Sequence, residues 1–314
     1  MRYYIIILLF LRIVFSNSID FDGNKAFAYI KEQCEFGPRY PGSEGHKQLI
    51  NYLYNHFKKN SDSLMVFSDT INHPVSNDEI EITNLFIQHN VKADIRYLFM
   101  AHFDTRDRAD KDQNENNLHL PILGANDGAS GVALLMELSS YIKKNPLNNI
   151  GIDILLVDAE DIGRPGHANE WGLGTQSFVK QYKGKLPKYA ICVDMIADKN
   201  PIFKIEQFSY RYAPELVKEI WHLANDLGYN EFVWQLTPQP IYDDHVYYYQ
   251  GTSVPSIDII DFDFPHWHTI DDTVENCSPK GLFIVGNVLL HFIYNKDKKW
   301  KIYLKKNGLV YLWN

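Results

Sequence analysis

The spacing of apolar residues divides the chain into alternating helix and strand signals. Helical periodicity covers residues 24–34 and 44–59. Between them, Phe36-Gly37-Pro38-Arg39-Tyr40-Pro41-Gly42 holds two prolines and two glycines and reads as a loop. Strand-like runs follow at 63–69, 80–88 and 95–102. Residues 105–120 are polar and charged, so a surface loop is expected there. An apolar-faced helix is predicted over 128–144, opening just after Asn126-Asp127-Gly128. The runs 151–158 and 189–195 are almost continuously apolar, the mark of strands covered on both faces. Further helices are predicted at 173–182, 212–226 and 278–295, with a strand at 254–260. This alternation implies an α/β fold: one domain over 19–298 with a mixed, mostly parallel sheet sandwiched by helices. Asn307-Gly308 stands between apolar segments, which suggests a hairpin in the tail 299–314.

Residues 1–18, MRYYIIILLFLRIVFSNS, break this pattern. A basic start, a short apolar run interrupted by Arg12 and a small polar exit read as a secretory signal peptide. The protein is then expected to be secreted or periplasmic. The alternative, an uncleaved anchor helix, is disfavoured because Arg12 leaves the run short of the roughly 20 apolar residues a span needs. The net charge of −8 argues against nucleic acid as a partner. The composition, 45% hydrophobic and 22% charged, excludes disordered, collagen-like and coiled-coil classes. Cys34, Cys192 and Cys277 form no CxxC pair, so cysteine-bound zinc is not expected, and an odd count leaves at least one thiol unpaired within a monomer.

In open α/β sheets, sites gather at the carboxyl ends of strands. Here those ends carry metal-capable side chains: His102 and Asp104, Glu160 and Asp161, Asp194, and beyond the last strand His268. Asp127 opens a helix nearby. Asp127, Asp161 and His268 would make a three-ligand shell for a catalytic zinc with one position open. Neighbours in an extended loop point apart, so Glu160 could face substrate while Asp161 binds metal, as a general acid/base needs. Taken singly, each has a bland reading: Asp127 a helix cap, Glu160-Asp161 a turn, His268 a structural histidine. Independent surface acids, however, have no reason to sit at successive strand ends.

The segments Ala101-His102-Phe103-Asp104, Gly124 to Gly131 (GANDGASG), Asp158-Ala159-Glu160-Asp161 and His268 to Thr273 (HTIDDT) resemble the zinc aminopeptidase clan. Within it the chain most resembles glutaminyl-peptide cyclotransferases (glutaminyl cyclases) of the bacterial type, from about residue 24 to 296. Glu35-Phe36-Gly37-Pro38-Arg39 also looks like that family's N-terminal segment. Clan aminopeptidases bind two zincs, and His102 and Asp194 occupy the positions that hold the second. Cyclases are similar there yet use one, so a single Zn2+ per chain is what the resemblance implies. Trp267 before His268, the acid pair Asp243-Asp244 before His245, and Trp171 after Glu160-Asp161 look like cyclase features. The chain departs from animal cyclases in several places. It has Asp161 where they have Glu, and Ala101 where they have a disulfide cysteine. Its loop from Gly163 to Trp171 has a different length. The segment Phe264-Pro265-His266-Trp267 is one residue shorter.

The resemblance implies a monomeric aminoacyl-type acyltransferase that converts the N-terminal Gln, more weakly Glu, of peptides and proteins to pyroglutamate and releases ammonia. Zinc on Asp127, Asp161 and His268 would polarise the γ-carbonyl. Glu160 would shuttle the proton, supported by Asp194 and Asp243, with Trp171, Phe264 and Trp267 walling the pocket. Two alternatives stay open: a secreted dizinc aminopeptidase, and a non-catalytic binding protein on the same fold.

Overall fold

The computed structural model describes residues 20–307. The leader reading of 1–18 and the tail beyond Asn307 fall outside the described residues. Helices α1 (Gly23–Cys34) and α2 (Glu44–Asn60) come first, each opened by a side chain that accepts a backbone N–H, Asp22 for α1 and Ser43 for α2. The antiparallel pair β1 (Ser63–Asn72) and β2 (Glu79–His89) follows, then β3 (Ile95–His102), α3 (Ala129–Lys144), β4 (Ile150–Val157), α4 (Leu173–Gln181) and β5 (Ala190–Asp194). Next come β6 (Phe203–Ile205), α5 (Gln207–Tyr212), α6 (Pro214–Asp226), β7 (Phe232–Leu236), α7 (Asp244–Thr252), β8 (Ser256–Ile260) and α8 (Pro279–Asn307).

Six strands form one sheet in the order β1-β2-β4-β3-β5-β8. β4, β3, β5 and β8 run parallel, while β1 and β2 add an antiparallel edge. Strand alternation sends Phe99, Ala101, Ile154, Leu156, Ile191 and Val193 to one face, into a core shared with α1, α2, α3, α6 and α8. Leu98, Met100, Leu155, Val157, Ala190 and Cys192 face the other way, against Phe178 of α4 and Tyr248 of α7. Helices on both faces are why β4 and β5 read as unbroken apolar runs. β6 and β7 pair as a separate two-stranded parallel sheet.

Three local expectations are corrected. The helix expected over 212–226 is split at Ala213, because Pro214 starts α6 at its first turn, where its missing N–H costs nothing. Within the tail 299–314, residues through Asn307 continue α8 rather than turning back as a hairpin. No proline interrupts α8 after Pro279, and its end is rich in lysine, a good helix former. Finally, residues 105–120 are not wholly a surface loop, since Thr105 and Arg106 are fully buried.

Candidate active site

The parallel strands all end on one side, and there the predicted residues meet. Glu160 and Asp161 follow β4, in a loop whose backbone is clamped by the buried carboxylate of Asp104. That carboxylate accepts the N–H of Glu160 (3.0 Å) and of Asp161 (3.1 Å). Asp127 stands just before α3. Gly128, not Asp127, is the N-cap, and no side chain caps this helix, so the helix-cap reading of Asp127 does not hold. Gly128 has φ +97°, and a Cβ there would lie 2.3 Å from the Asp104 carbonyl oxygen, so only glycine permits the turn. Asp272 accepts the N–H groups of Asn126 (2.8 Å) and Asp127 (3.0 Å) and fixes the approach to that turn. Ala159, Met195 and His268 all adopt left-handed φ, at 51°, 46° and 56°, a conformation that strains a residue with a side chain. Each lies at, or next to, a predicted site residue.

Asp127, Asp161 and His268 converge as the sequence predicts. Nε2 of His268 lies 3.1 Å from Asp161 Oδ1 and 3.5 Å from Asp127 Oδ2. One donor atom from each of the three falls within 4.8 Å of the others, and all three residues are buried. Asp127 Oδ2 and Asp161 Oδ2 have no hydrogen-bond partner among the described residues. Buried carboxylate oxygens left without donors are costly unless a cation takes them. Oxygen and imidazole donors of this kind suit zinc. A second group of the same kind, His102, Asp127 and Asp194, shares Asp127. Nε2 of His102 lies 3.3 Å from Asp127 Oδ1 and 3.2 Å from Asp194 Oδ1.

Two residues in the expected surface loop complete the first group. Asp110 Oδ1 lies 3.3 Å from His268 Nδ1, within ion-pair distance though off hydrogen-bonding alignment, and Nε2 is turned toward the acids. A carboxylate behind a ligating histidine sets its tautomer and raises its basicity. Arg106 donates to both oxygens of Asp110 (2.8 and 2.6 Å) and to the backbone oxygen of Asp161 (2.8 Å). Its guanidinium lies 5.0 Å from the Trp171 ring. Burial alone would raise the carboxyl of Asp161, but His268 and Arg106 outweigh it and hold it below the usual range. Asp127, with burial and then Asp161 against it, is raised instead.

Glu160, Asp194 and Asp243 line one pocket with the metal-capable residues. Burial, and next the charge of Asp243, hold Glu160 well above the ordinary carboxylate range. Burial also pushes Asp194 up to about 7, against the opposing pull of His102. Asp243 is the N-cap of α7, its carboxylate accepting from Asp244 N–H and from the Cys192 thiol at 3.4 Å. Trp171 and Trp267 are wall residues as expected. The Trp171 ring lies nearly parallel to that of His268 with centroids 6.3 Å apart, and the Trp267 ring is 4.0 Å away. Phe264 is not a wall residue. It is buried against Met195, Ile241 and Ile260, which line the pocket themselves, while Phe262 reaches the pocket and packs 4.8 Å from Trp267.

Asp104, read as metal-capable, instead clamps the Glu160-Asp161 backbone, and Asp272 holds the turn before α3. The sequence reading assigned no role to Arg106, Asp110 or Phe262, or to Tyr242, which also lines the pocket. The i,i+4 spacing of Arg106 and Asp110 was a usable signal for a pair. Nothing in the sequence said that the pair would be carried inward.

The sequence profile of Peptidase family M28 matches residues 84–293, from β2 to the middle of α8 and across every residue of the pocket. The chain belongs to peptidase family M28. Members of M28 are zinc-dependent enzymes, in keeping with the ligand groups above. Among solved structures, the M28 chain is similar to Bacteroides thetaiotaomicron glutaminyl cyclase bound to N-acetylhistamine, at 32% identity and TM-score 0.84 over 88% of this chain and 98% of that one. Tannerella forsythia glutaminyl cyclase is 34% identical with TM-score 0.84, covering 88% of this chain and 99% of that one. A Zn-dependent exopeptidase from Parabacteroides distasonis gives the same four figures. No curated protein matches this M28 chain significantly.

Proposed function

We propose that this protein cyclises the N-terminal glutamine of peptides and proteins to pyroglutamate, releasing ammonia. The observation that carries the reading is the pocket wall. Trp171, Phe262 and Trp267 stand beside the metal-capable group and line one pocket with Glu160 and Asp243. Aromatic walls with a few convergent polar groups suit one small neutral side chain such as a carboxamide.

Asp127, Asp161 and His268 would hold one zinc, which supplies Lewis acidity when bound. The rings orient the carboxamide and exclude water. Attack of the α-amine within the same residue forms the N–Cδ bond, and the Cδ–N bond of the carboxamide breaks. Glu160 takes the proton from the amine and delivers it to the departing ammonia, so no net proton is consumed. The proton affinity that burial and Asp243 give Glu160 suits this exchange. Asp194 and Asp243 act as its supporting acids.

A second reading, a dizinc aminopeptidase, is favoured by one observation: the group His102, Asp127 and Asp194 is as compact as the first. One experiment separates the two. The zinc-loaded protein is given Gln-initiated and Leu-initiated peptides, and ammonia, free amino acid and zinc per chain are measured. Ammonia from Gln peptides with one tightly held zinc supports cyclisation. Free leucine with two held zincs replaces it with hydrolysis.

A further inference from the structure

The motif Glu35 to Arg39 lies before the matched span 84–293, yet its last residue reaches the loop that carries Asp127. Arg39 stands between α1 and α2 and is fully buried. Its Nη1 donates to the carbonyl oxygens of Leu123 (2.7 Å) and Gly37 (3.1 Å), and its Nη2 donates to that of Gly124 (2.7 Å). Its backbone N–H donates to Thr105 Oγ1 (2.8 Å). Nε has no hydrogen-bond partner among the described residues, so the two Nη groups make the whole contact.

Taking a charge out of water is unfavourable, and apolar side chains of similar volume in place of buried charges are often neutral or stabilising. Packing alone therefore gives no reason for an arginine at position 39. The consecutive carbonyls of Leu123 and Gly124 do. A planar guanidinium fork takes two neighbouring acceptors at once and fixes both peptide planes, which the point charge of a lysine does not.

From those two peptides the constraint passes to Asp127. Gly124 has φ +63°, and a Cβ there would lie 2.4 Å from the Asp127 carbonyl oxygen and 2.4 Å from Thr105 Cγ2. The chain thus doubles back on Asp127 beneath the Thr105 side chain. Asp272 takes the N–H groups of Asn126 and Asp127. The turn is held at its carbonyls by Arg39 and at its N–H groups by Asp272. Asp127 is the residue that both groups of zinc-capable donors share, with Oδ1 3.3 Å from His102 Nε2 and Oδ2 3.5 Å from His268 Nε2. A shift of its backbone opens both groups together.

We propose that Arg39 is a positioning residue for the metal centre, holding the 123–127 turn so that the Asp127 carboxylate meets zinc. The proposal rests on Asp127 being a zinc ligand and is independent of the reaction the zinc serves.

The test measures zinc Kd by competition with a chromophoric chelator, and Tm of the metal-free full chain, for wild type, Arg39→Met and Arg39→Lys. Arg39→Met fills the volume but leaves both carbonyls unpaired, and is expected to weaken zinc binding about 10-fold or more. Arg39→Lys keeps a donor for one carbonyl and is expected to recover part of that loss. Leu53→Ala, a truncation in the buried core, is the control: its Tm falls and its zinc Kd stays at the wild-type value. An unchanged Kd in folded Arg39→Met overturns the proposal, and so does a Leu53→Ala control that loses as much affinity. If Arg39→Met does not fold, Thr105→Val replaces it, removing only the acceptor of the Arg39 N–H. Its expected loss is about 3-fold, in keeping with one hydrogen bond, and an unchanged Kd again overturns the proposal. Ammonia release from Gln peptides is read separately on the wild type. Its absence overturns cyclisation and leaves the Kd comparison to decide the role of Arg39.

Discussion

Glu206 carries a prediction with a magnitude that can be reached in two ways. This fully buried residue precedes α5 and receives five hydrogen bonds. The donors are Phe208 N–H (2.9 Å), Ser209 N–H (2.6 Å), Ser209 Oγ (2.9 Å), Ile241 N–H (3.0 Å) and His245 Nε2 (3.0 Å). Glu206→Gln leaves one acceptor oxygen and turns an NH2 group toward at least two of those donors. At roughly 1–3 kcal/mol for each buried group left unpaired, the cost is about 3 kcal/mol or more. The second route is titration. Burial alone would raise this carboxyl, but the His245 partner and the backbone donors overcome it and lower it from 4.5 to about 2. At 1.36 kcal/mol per unit that is again about 3 kcal/mol. The folded pKa is depressed, so the unfolded chain binds the extra proton between the two values. The stabilisation is therefore complete above about pH 4.5 and is lost as pH falls toward 2. Urea melts of wild type and Glu206→Gln at pH 7 should differ by about 3 kcal/mol, which corresponds to about 4–5 °C in Tm for a chain of this size. By pH 3 the gap should shrink to roughly half. A gap under 1 kcal/mol at pH 7, or one that ignores pH, would refute the reasoning. Because Glu206 also anchors Ile241, two residues before Asp243, the variant should lose turnover as well as stability.

Three further outcomes are expected. Glu160→Gln should keep its zinc and its melting temperature while turnover falls about 10²–10⁴-fold, since the amide can neither accept nor return a proton; near-normal rates at saturating substrate would remove Glu160 from the mechanism. Asp110→Ala should weaken zinc binding about 10–100-fold in a competition titration by freeing the His268 tautomer, whereas unchanged affinity would make Asp110 a bystander. Phe262→Ala should raise KM with little change in Tm, while Phe264→Ala should cost about 3–5 kcal/mol of stability through the cavity it leaves; the reverse pattern would restore Phe264 to the wall.

The sheet was legible because both its faces are covered. The continuous apolar runs of β4 and β5 left no other role for them, and the acids at their carboxyl ends followed from that. Smaller pieces were harder to see. β6 and β7 are only three and five residues long, and the apolar content of α7 is spread around the helix rather than along one stripe. Arg106 was hidden by chemistry. A guanidinium in a polar stretch reads as solvated, yet here paired acids and an aromatic face carry it into the interior. The pocket wall depended on where the chain bends between β8 and His268, which local pattern does not encode. Phe262 and Phe264 lie two residues apart on equally apolar ground, and only the fold decides between them.

The three left-handed residues at the strand ends bear on how this enzyme would respond to laboratory selection. Ala159 and Met195 each sit next to a carboxylate of the pocket, in a backbone shape that glycine adopts without strain. Glycine would relieve that strain, but both side chains are fully buried and glycine removes them. At Ala159 the lost methyl and the added freedom of the unfolded chain cancel a gain on the order of 1 kcal/mol. At Met195 the cavity left behind would cost about 2–5 kcal/mol. A library screened for heat resistance alone would therefore keep both residues, and with them the peptide links that aim Glu160 and Asp194.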